Sequence, residues 1–569
     1  LLAAMAAVPS ADPVAYALEL VASSVLQAVH LCTALLAVQA LPTDTVARLA
    51  AWLDRPCEHG VPGEILFAAA AVTVVAALLC VFVYEAHPHV PDEVVYLLPA
   101  RYFADGVLTL AAPPVADAFD VDLMANDGVR WYSPVPPGWP AILAIGSFFG
   151  VPWLVNPVLG GLAVLLTWQF VSKVYDARTG RLAALMLASS PWLLFLSMSF
   201  MTHLLTLTCA LFASTAVERA RRMRAPGSVV LGGAAIGWIG LTRPLDAVAT
   251  AVVLGFYLLW TGTTRLRIGS TLLLAVSSLA VSALTLPYNR IFTGSPTTFP
   301  LMAYTDAQYG EGTNALGFGA NRGIGWPGLD PFPGHGAIDV VLNAVLNVST
   351  INIELLGWAT GSLLLVALVG VSRRWTTADL ATLGAAAFVA GLHSFYWFSG
   401  GPDFGARYWF LAIVPLVVLA ARGAVLWDAP RNSPGPLGGR TAATFVLLSV
   451  VTVVTFVPWR SFDKYHHYRG MEAGIRRLAE AEGFGRDLVF IRGDRHPDYA
   501  SAAFYNPLDW NADAPIYAWD RSPSARREVL AAYPDRAIWF VEGPTVTGSG
   551  YRVAEGPFAA GSLAGDAGP

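Results

Sequence analysis

The sequence predicts a mainly α-helical membrane protein of many spans with a small C-terminal α/β domain. Of its 569 residues, 55% are hydrophobic and only 13% are charged, and the mean hydropathy is +0.54. Because a soluble globular chain carries about 25% charged residues, this deficit indicates a polytopic membrane protein. After residue 460 the pattern changes to short apolar strands that alternate with helices, which is typical of an α/β domain.

Charge, cysteines and composition narrow the class further. The net charge is −5 and no basic tract is present, so nothing indicates a nucleic-acid partner. None of the four cysteines lies in a long polar loop, so no disulfide framework is predicted. The first basic residue is Arg48, and the start of the chain does not resemble a cleavable signal peptide. Abundant Ala, Gly, Pro and Arg beside few Lys indicates a bacterial source.

Residues 1–60 form an N-terminal extension whose structure stays open at this stage. The segment from Val14 to Leu41 is long enough to span a bilayer, but it carries Glu19, Gln27 and His30. It could be an extra span, an interfacial helix or a segment packed against a partner.

A transmembrane domain is predicted at 61–460. Together with the ambiguous N-terminal segment, its apolar segments make eleven or twelve spans. The segments of this domain lie at about 64–86, 156–175, 181–200, 201–217, 228–242, 245–261, 267–287, 353–371, 377–398, 407–427 and 440–459.

The basic residues of the short connections predict the orientation. Five connections fall on one side of this threading, and the positive-inside rule makes that side cytoplasmic. They carry Lys173, Arg178 and Arg181; Arg219, Arg221, Arg222 and Arg224; Arg265 and Arg267; Arg373 and Arg374; and Arg422, Arg431 and Arg440.

Three large parts are then extracytoplasmic. They are the loops at about 87–140 and 288–350 and the region 461–569. The prolines of 131–140 are expected to forbid a regular helix there. Loop 288–350 shows no clear secondary structure, and a loop of this length is more often functional than idle.

The C-terminal region 461–569 is expected to be a soluble recognition or stabilising module. Helices are predicted at 471–482 and 524–533, strands at 487–491, 515–519 and 537–541, and a mobile tail after Gly556. The region has no Gly-rich phosphate loop and no metal-ligand spacing.

Asp92 and Glu93 directly follow the first clear span. Ionised groups so near hydrocarbon are costly and often mark a function. Alternatively, Asp92 is only the N-cap of a helix from about Glu93 to Phe103. His87 and His89 flank the pair, but without a further ligand we predict no metal site. Neighbouring helical residues point about 100° apart, so only one carboxylate can be a base, and we expect Asp92.

Further polar groups gather at the extracytoplasmic span ends. A carboxylate can take a proton from a hydroxyl, and an arginine can hold a phosphate. Simpler readings stay open: Arg243 could pair with Asp246, Arg407 with Asp403, and His203 could be a packing residue. The candidate substrate-binding residues are Tyr132, His203, Arg243, Tyr288, Arg290, Asp403, Arg407 and Tyr408.

The order of these features resembles the GT-C glycosyltransferases that use polyprenyl-phosphate sugars. The likeness is to the family 39 group of protein O-mannosyltransferases and aminoarabinose transferases, and it covers about 64–460. The matching pieces are Pro91-Asp92-Glu93 with Tyr96, the loop end 131–138 (WYSPVPPG), Leu241-Thr242-Arg243-Pro244 and Gly405-Ala406-Arg407-Tyr408.

The resemblance implies an inverting transfer of a sugar from a polyprenyl-phosphate donor to an acceptor hydroxyl. The reaction would take place on the outer face of the cytoplasmic membrane. Asp92 would be the general base, Glu93 would orient it, and Arg243 and Arg407 would hold the lipid phosphate without a catalytic metal or a cofactor. The acceptor could be a cell-envelope glycan, a lipid or a protein, although no β-trefoil insertion supports a protein acceptor.

Partners and alternative functions remain to be weighed. Membrane lipids and the lipid-linked donor are the expected partners, and a protein could bind through 1–60 or 461–569. A transporter or flippase of polyprenyl-linked glycan would commonly show an internal repeat, and no two-fold repeat is recognised. A non-catalytic membrane scaffold is the third alternative.

Overall fold

A computed structural model of the protein describes residues 31–53, 60–223, 225–261, 264–324, 334–357, 363–400, 403–428 and 440–562, together with residues 25, 28, 29 and 55. The predicted span 14–41 and the end of the predicted mobile tail lie largely outside the described residues. The chain divides into two compact units. We call 1–76, 156–197 and 202–460 the helical unit, and 77–155, 198–201 and 461–569 the mixed unit.

The helical unit consists of apolar helices joined by short connections. Two of its helices, Gly63–Phe82 and Pro191–Met198, run on into the mixed unit. Its other helices are Leu31–Ala40, Thr43–Leu53, Val155–Val174, Ala177–Ala188, His203–Met223, Pro226–Gly240, Pro244–Thr261, Thr264–Ser282, Thr285–Thr293, Pro300–Tyr309, Ala337–Glu354, Leu363–Ser372, Thr377–His393, the 3-10 turn Arg407–Ala412, Ile413–Asp428, Arg440–Val451 and Val457–Arg460.

The prediction of a mainly helical, multi-pass membrane protein is confirmed. Within the described residues, seven helices are long and apolar enough to cross a membrane. The helices Ala177–Ala188 and Pro191–Met198 meet at a bend of 52° and would together make an eighth span. Pro191 explains the bend, because proline cannot continue the hydrogen-bond ladder of the preceding helix. Other apolar helices, such as Pro226–Gly240, are shorter, so the number of eleven or twelve spans stays a prediction.

Two predictions for this unit were wrong in detail. Loop 288–350 is not without secondary structure, since it contains helices Pro300–Tyr309 and Ala337–Glu354. The segment 353–371 is not one helix, because Ala337–Glu354 ends where the predicted segment begins. The Gly- and Asn-rich composition of the loop concealed the apolar stripe of Ala337–Glu354.

Several of the basic connections meet at one end of the helical unit. Arg222 donates a hydrogen bond to the carbonyl oxygen of Lys173. Arg422 lies 5.9 Å from the ring centre of Tyr175 and pairs with the buried carboxylate of Asp379 at 3.3 Å. The connections at 173–181, 219–224 and 373–379 therefore share an end with Arg422, and the cytoplasmic assignment of that end stays a prediction.

The mixed unit contains two sheets. Strands β1 (Leu110–Ala111), β2 (Ala125–Asn126) and β3 (Arg130–Tyr132) form an antiparallel sheet in the order β1-β3-β2. Strands β4 (Leu488–Arg492), β5 (Ile516–Trp519), β6 (Ile538–Glu542) and β7 (Arg552–Phe558) form the order β5-β4-β6-β7. β4 pairs in parallel with β5 and β6, whereas β7 runs antiparallel to β6. Its helices are Pro91–Ala104, Ala116–Phe119, Gly138–Phe148, Pro152–Leu154, Gly474–Glu482, Ala500–Ala503, Pro523–Ala532 and Pro544–Thr547.

The predicted strands and helices of 461–569 are largely found, with three corrections in the mixed unit. The helix expected from 471 begins at Gly474. β7 occupies part of the predicted mobile tail, and its mostly exposed side chains hid it from the hydrophobic pattern. A regular helix does begin at Gly138, because Pro140 lies in its first turn, where a missing N–H group is tolerated.

One hydrophobic core joins loop 87–140 to the region 461–569. Val94, Phe119 and Trp131 belong to the same buried cluster as Phe490 and Ile516. Hydrogen bonds and ion pairs add to this contact. In these ion pairs the two aspartates of Asp120-Val121-Asp122 have basic partners. Arg101 donates to the carbonyl oxygens of Phe504 and Asn506 at 2.6 and 2.9 Å, Arg495 pairs with Asp120 at 2.9 Å and Asp122 at 2.5 Å, and His496 pairs with Asp122 at 3.1 Å.

Candidate functional site

Asp92 lies in the first turn of helix Pro91–Ala104 and is partly exposed. The N-cap is Val90, and its side chain makes no capping bond, so the interpretation of Asp92 as the N-cap was wrong. Pro91 at the first helical position starts the helix, because its φ is already helical and its missing N–H would be unpaired there anyway. An acidic side chain is favourable in the first turn of a helix, because the helix N-terminus attracts negative charge.

Glu93 is completely buried and takes part in the fold itself. Its Oε2 accepts a hydrogen bond from the backbone N–H of His89 at 2.8 Å, and its Oε1 accepts one from that of Phe200 at 2.9 Å. Burial raises the pKa of Glu93 to about 8, although both backbone N–H groups favour the ionised form. The two neighbouring carboxyl groups therefore differ in role. Glu93 links two chain segments through its hydrogen bonds, whereas Asp92 is partly exposed.

In the helical unit, the partly buried Arg243 forms a triad with the buried side chains of Asp246 and His393. Arg243 Nε lies 2.5 Å from Asp246 Oδ2, and His393 Nε2 lies 3.1 Å from Asp246 Oδ1. The expected pairing of Arg243 with Asp246 is therefore found. His393 comes from the last turn of helix Thr377–His393, and its Nδ1 lies 2.9 Å from the Val389 carbonyl oxygen.

A tight turn holds Arg407. Its Nε donates to the Gly400 carbonyl oxygen at 2.8 Å, and its NH2 group lies 3.4 Å from Asp403. Both charged side chains are buried. Gly405 has a φ of +65°, and a Cβ there would lie 2.4 Å from Oε2 of the buried Glu354, so this position requires glycine.

The ring of Tyr408 connects the two arginines. The guanidinium carbon of Arg243 lies 4.9 Å from its centre, and that of Arg407 lies 5.8 Å away. His203 is buried close enough to Arg243, Arg407 and His393 to interact with them electrostatically. Within the described residues, neither ring nitrogen of His203 has a hydrogen-bond partner. The structure thus brings together five predicted residues: His203, Arg243, Asp403, Arg407 and Tyr408.

The other candidates lie elsewhere in the structure. Tyr288 packs on Phe292 with ring centres 4.7 Å apart in helix Thr285–Thr293, and Arg290 of that helix is exposed. Tyr132 is in β3 of the mixed unit, where the guanidinium carbon of Arg130 lies 5.6 Å from its ring centre. Their assignment to a substrate site stays a prediction.

Sequence reasoning missed His393 and Glu354. His393 ends an apolar helix, and a single histidine in an apolar segment is a signal that could have been noticed. Glu354 could have been found in the same way, as an acidic residue in an apolar stretch.

Comparison with known proteins supports the fold. No family model matches the chain, and no curated protein sequence matches it. Among solved structures, ArnT from Cupriavidus metallidurans bound to undecaprenyl phosphate is similar, with a TM-score of 0.53 at 14% identity. The match covers 86% of this chain and 94% of that chain. The apo state of the same protein gives a TM-score of 0.51 at 13% identity over 85% and 93% of the two chains. ArnT is a GT-C glycosyltransferase, so the GT-C fold predicted from the sequence is confirmed.

The burial of Glu93 predicts a dependence of stability on pH. Between its ordinary value of 4.5 and about 8, the folded protein keeps a proton that the unfolded chain has released. The free energy of unfolding should therefore fall as pH rises through this window, by up to about 1.4 kcal/mol per pH unit. Unfolding of the detergent-solubilised protein at pH 5 to 8 measures this slope. Glu93→Gln should flatten it, whereas Glu480→Gln, at an exposed site, should not; equal slopes in all three proteins would contradict the prediction.

Gly405→Ala should destabilise the arginine turn. The left-handed backbone and the contact with Glu354 together should lower the free energy of unfolding by more than about 2 kcal/mol. Gly384→Ala is the matched control, because it lies in helix Thr377–His393 with open space around its Cβ position and should raise stability by about 0.5–1 kcal/mol. Thermal unfolding in detergent compares them, and wild-type stability of Gly405→Ala would refute the assigned role.

Proposed function

We propose that this protein is a glycosyltransferase that transfers a sugar from a polyprenyl-phosphate donor to an acceptor hydroxyl. The observation that carries the proposal is the pair of Arg407, which is buried, and Arg243, which is partly buried, around Tyr408. Its context is a fold shared with ArnT, which was solved bound to undecaprenyl phosphate.

The arginine cluster suits a phosphate that gains charge. When the bond between the anomeric carbon and the phosphate oxygen breaks, the bonding electrons stay on the lipid phosphate. Guanidinium groups hold such oxyanions with charge-assisted bonds, and they act more strongly away from bulk water. His203 supports a ligand here as well, since buried nitrogens normally have hydrogen-bond partners.

Asp92 is the proposed general base. Its carboxylate would take the proton of the acceptor hydroxyl while that oxygen attacks the anomeric carbon from the face opposite the phosphate, which inverts the configuration. Glu93 is a poor candidate because its oxygens already accept bonds from His89 and Phe200. We assign Glu93 the role of fixing the start of the helix that carries Asp92.

The proposal extends to the setting of the reaction. We place the active face and the region 461–569 outside the cytoplasmic membrane of a bacterium, following the basic connections. The acceptor would be a cell-envelope glycan, a lipid or a protein, and a protein partner could bind through 1–60 or 461–569. Because arginines can stabilise a monophosphate leaving group, the proposed reaction uses no catalytic metal and no cofactor.

Asp92→Asn should lower sugar transfer by about a hundred- to ten-thousand-fold, because the amide cannot accept the hydroxyl proton. Transfer from a lipid-linked donor is measured in proteoliposomes with purified protein. Asp105→Asn is the control, since it changes an exposed carboxylate at the other end of the same helix and should leave transfer unchanged. Undiminished activity of Asp92→Asn would refute the assignment of the base.

Arg243→Gln should weaken binding of undecaprenyl phosphate by about ten- to a hundred-fold, through loss of a charge-assisted contact. This position is chosen because Asp246 keeps His393 as a partner, whereas removal of Arg407 would take a cation from buried Asp403. Calorimetry on the protein in nanodiscs measures the affinity. Arg219→Gln, at an exposed site of helix His203–Met223, should bind like wild type, and an equal loss in both variants would count against the site.

A further inference from the structure

A small pocket of the helical unit adjoins the arginines. It lies between helix Ala337–Glu354 and the segment 393–409, and we call it the aromatic pocket. Its empty volume is about 270 Å³ including the open mouth, and its narrow part has room for about one water molecule. Its lining includes four aromatic side chains and two amides, those of Tyr396, Phe398, Tyr408, Trp409, Asn343 and Asn347.

The two asparagines of this lining differ in their hydrogen bonds. They lie four residues apart in helix Ala337–Glu354 and therefore share one face of it. The side-chain amide of Asn343 donates to the Trp397 carbonyl oxygen at 3.1 Å. Asn347 is only 4% exposed, and among the described residues its side chain has no hydrogen-bond partner. Asn343 is therefore committed to the fold, whereas the amide of Asn347 is available to a ligand.

A buried amide without a partner is costly, and its position makes the cost larger. Helix Ala337–Glu354 is apolar and long enough to cross a membrane, so little bulk water is expected along it. Buried polar side chains normally have partners, and an apolar residue would fill this place at lower cost. A group that enters the aromatic pocket would supply the partner. The group must be about the size of a water molecule and must donate or accept a hydrogen bond, as a hydroxyl does.

The neighbourhood of the pocket identifies which hydroxyl this would be. Tyr408 lines the pocket, and its ring centre lies 4.9 and 5.8 Å from the guanidinium carbons of Arg243 and Arg407. In the proposed reaction these arginines hold the phosphate of the donor, and a single oxygen atom joins that phosphate to the sugar. The sugar of the donor is therefore the hydroxylated group nearest to the pocket. Aromatic rings also suit the apolar C–H face of a sugar ring, beside a few polar groups that fix its orientation.

The charges around the pocket distinguish neutral sugars from amino sugars. Among the described residues that line the pocket, none has a carboxyl group. Asp246 and Asp403 already face Arg243 and Arg407. Glu354 lies two turns beyond Asn347 on the same helix, 3.9 Å from Arg460. An ammonium group in the pocket would enter a buried place without a carboxylate of its own, which is costly.

We infer that Asn347 is a specificity-determining residue that binds a hydroxyl group of the donor sugar, and that this sugar is uncharged. The inference rests on the proposed function and names the substrate class of the same site. A neutral amide can both donate to a hydroxyl and accept from it, so it selects for a hydroxyl without requiring a charge.

The test measures what the sugar adds to the affinity of the lipid phosphate. The ligands are the glucose, mannose, galactose, arabinose and aminoarabinose esters of undecaprenyl phosphate, with its methyl ester as the phosphodiester that has no sugar. Calorimetry on the full-length protein in nanodiscs gives each affinity. At least one neutral sugar ester should bind about tenfold more tightly than the methyl ester. The aminoarabinose ester should bind less tightly than this neutral ester.

Three results of this comparison have distinct meanings. The inference is overturned if no neutral sugar ester binds more tightly than the methyl ester, or if the aminoarabinose ester binds as tightly as the best neutral one. Either result leaves the proposed function standing, because the lipid phosphate still binds. If neither the methyl ester nor undecaprenyl phosphate binds, the proposed function itself fails. Since no acceptor is present, an effect on these affinities belongs to the sugar of the donor.

Asn347→Leu removes the amide and keeps a branched side chain of similar size. Its affinity for the best neutral sugar ester should fall about tenfold, and its affinity for the methyl ester should equal that of wild type. Asn511→Leu changes an exposed asparagine of the mixed unit and should bind both esters like wild type. An unchanged affinity of Asn347→Leu for the sugar ester would overturn the inference, and so would an equal loss for both esters.

Thermal unfolding without ligand separates this role from a structural one. Because the Asn347 side chain has no hydrogen bond to another described residue, the Tm of Asn347→Leu should equal or exceed that of wild type. Asn343→Leu, on the same face of the helix, loses the bond to the Trp397 carbonyl oxygen, and its Tm should fall by about 2 °C or more. An equal fall in both variants would show that the amide of Asn347 serves the fold and would overturn the inference.

Discussion

A buried charge must have an opposite charge or hydrogen-bond partners beside it, and this constraint organises the helical unit. Arg243 and Arg407 are each held by an aspartate three or four residues away, and Tyr408 lies against both guanidinium groups. Such pairs add little to stability by themselves, because desolvation offsets most of their attraction. Under the proposed function, a phosphate ligand would supply the reason for keeping two arginines here. Arg407 also donates to the Gly400 carbonyl oxygen, and the left-handed Gly405 lies two residues before it.

The same constraint acts on a carboxyl group in the mixed unit. Glu93 is buried against two backbone N–H groups, from His89 and Phe200, which would otherwise be unpaired. It therefore joins two segments that are far apart in the chain. In the sequence Glu93 is one of two adjacent acidic residues, but in the structure it holds two segments together. Its neighbour Asp92 has the carboxyl group that remains partly exposed.

The acidic character of loop 87–140 has a similar explanation. Asp120 and Asp122 are paired with Arg495 and His496, and the apolar side chains beneath them share one core with β4 and β5. The short strands of the loop could not bury enough apolar surface alone, since isolated two- or three-residue pairings are marginal in water. The region 461–569 supplies that surface.

The sequence by itself determined what depends on local pattern. Hydropathy located most helices of the predicted membrane spans, and short apolar runs located β4, β5 and β6. The motifs around Asp92, Arg243 and Arg407 indicated the fold that comparison with ArnT supports. The sequence did not predict the exposed strand β7 or helix Ala337–Glu354, because their hydrophobic patterns are weak. Only the tertiary structure decided the partners: His393 with Asp246, Glu93 with Phe200, and loop 87–140 with β4. The physical reason is that burial and charge pairing join residues a hundred or more positions apart, whereas periodicity reports only on neighbours along the chain.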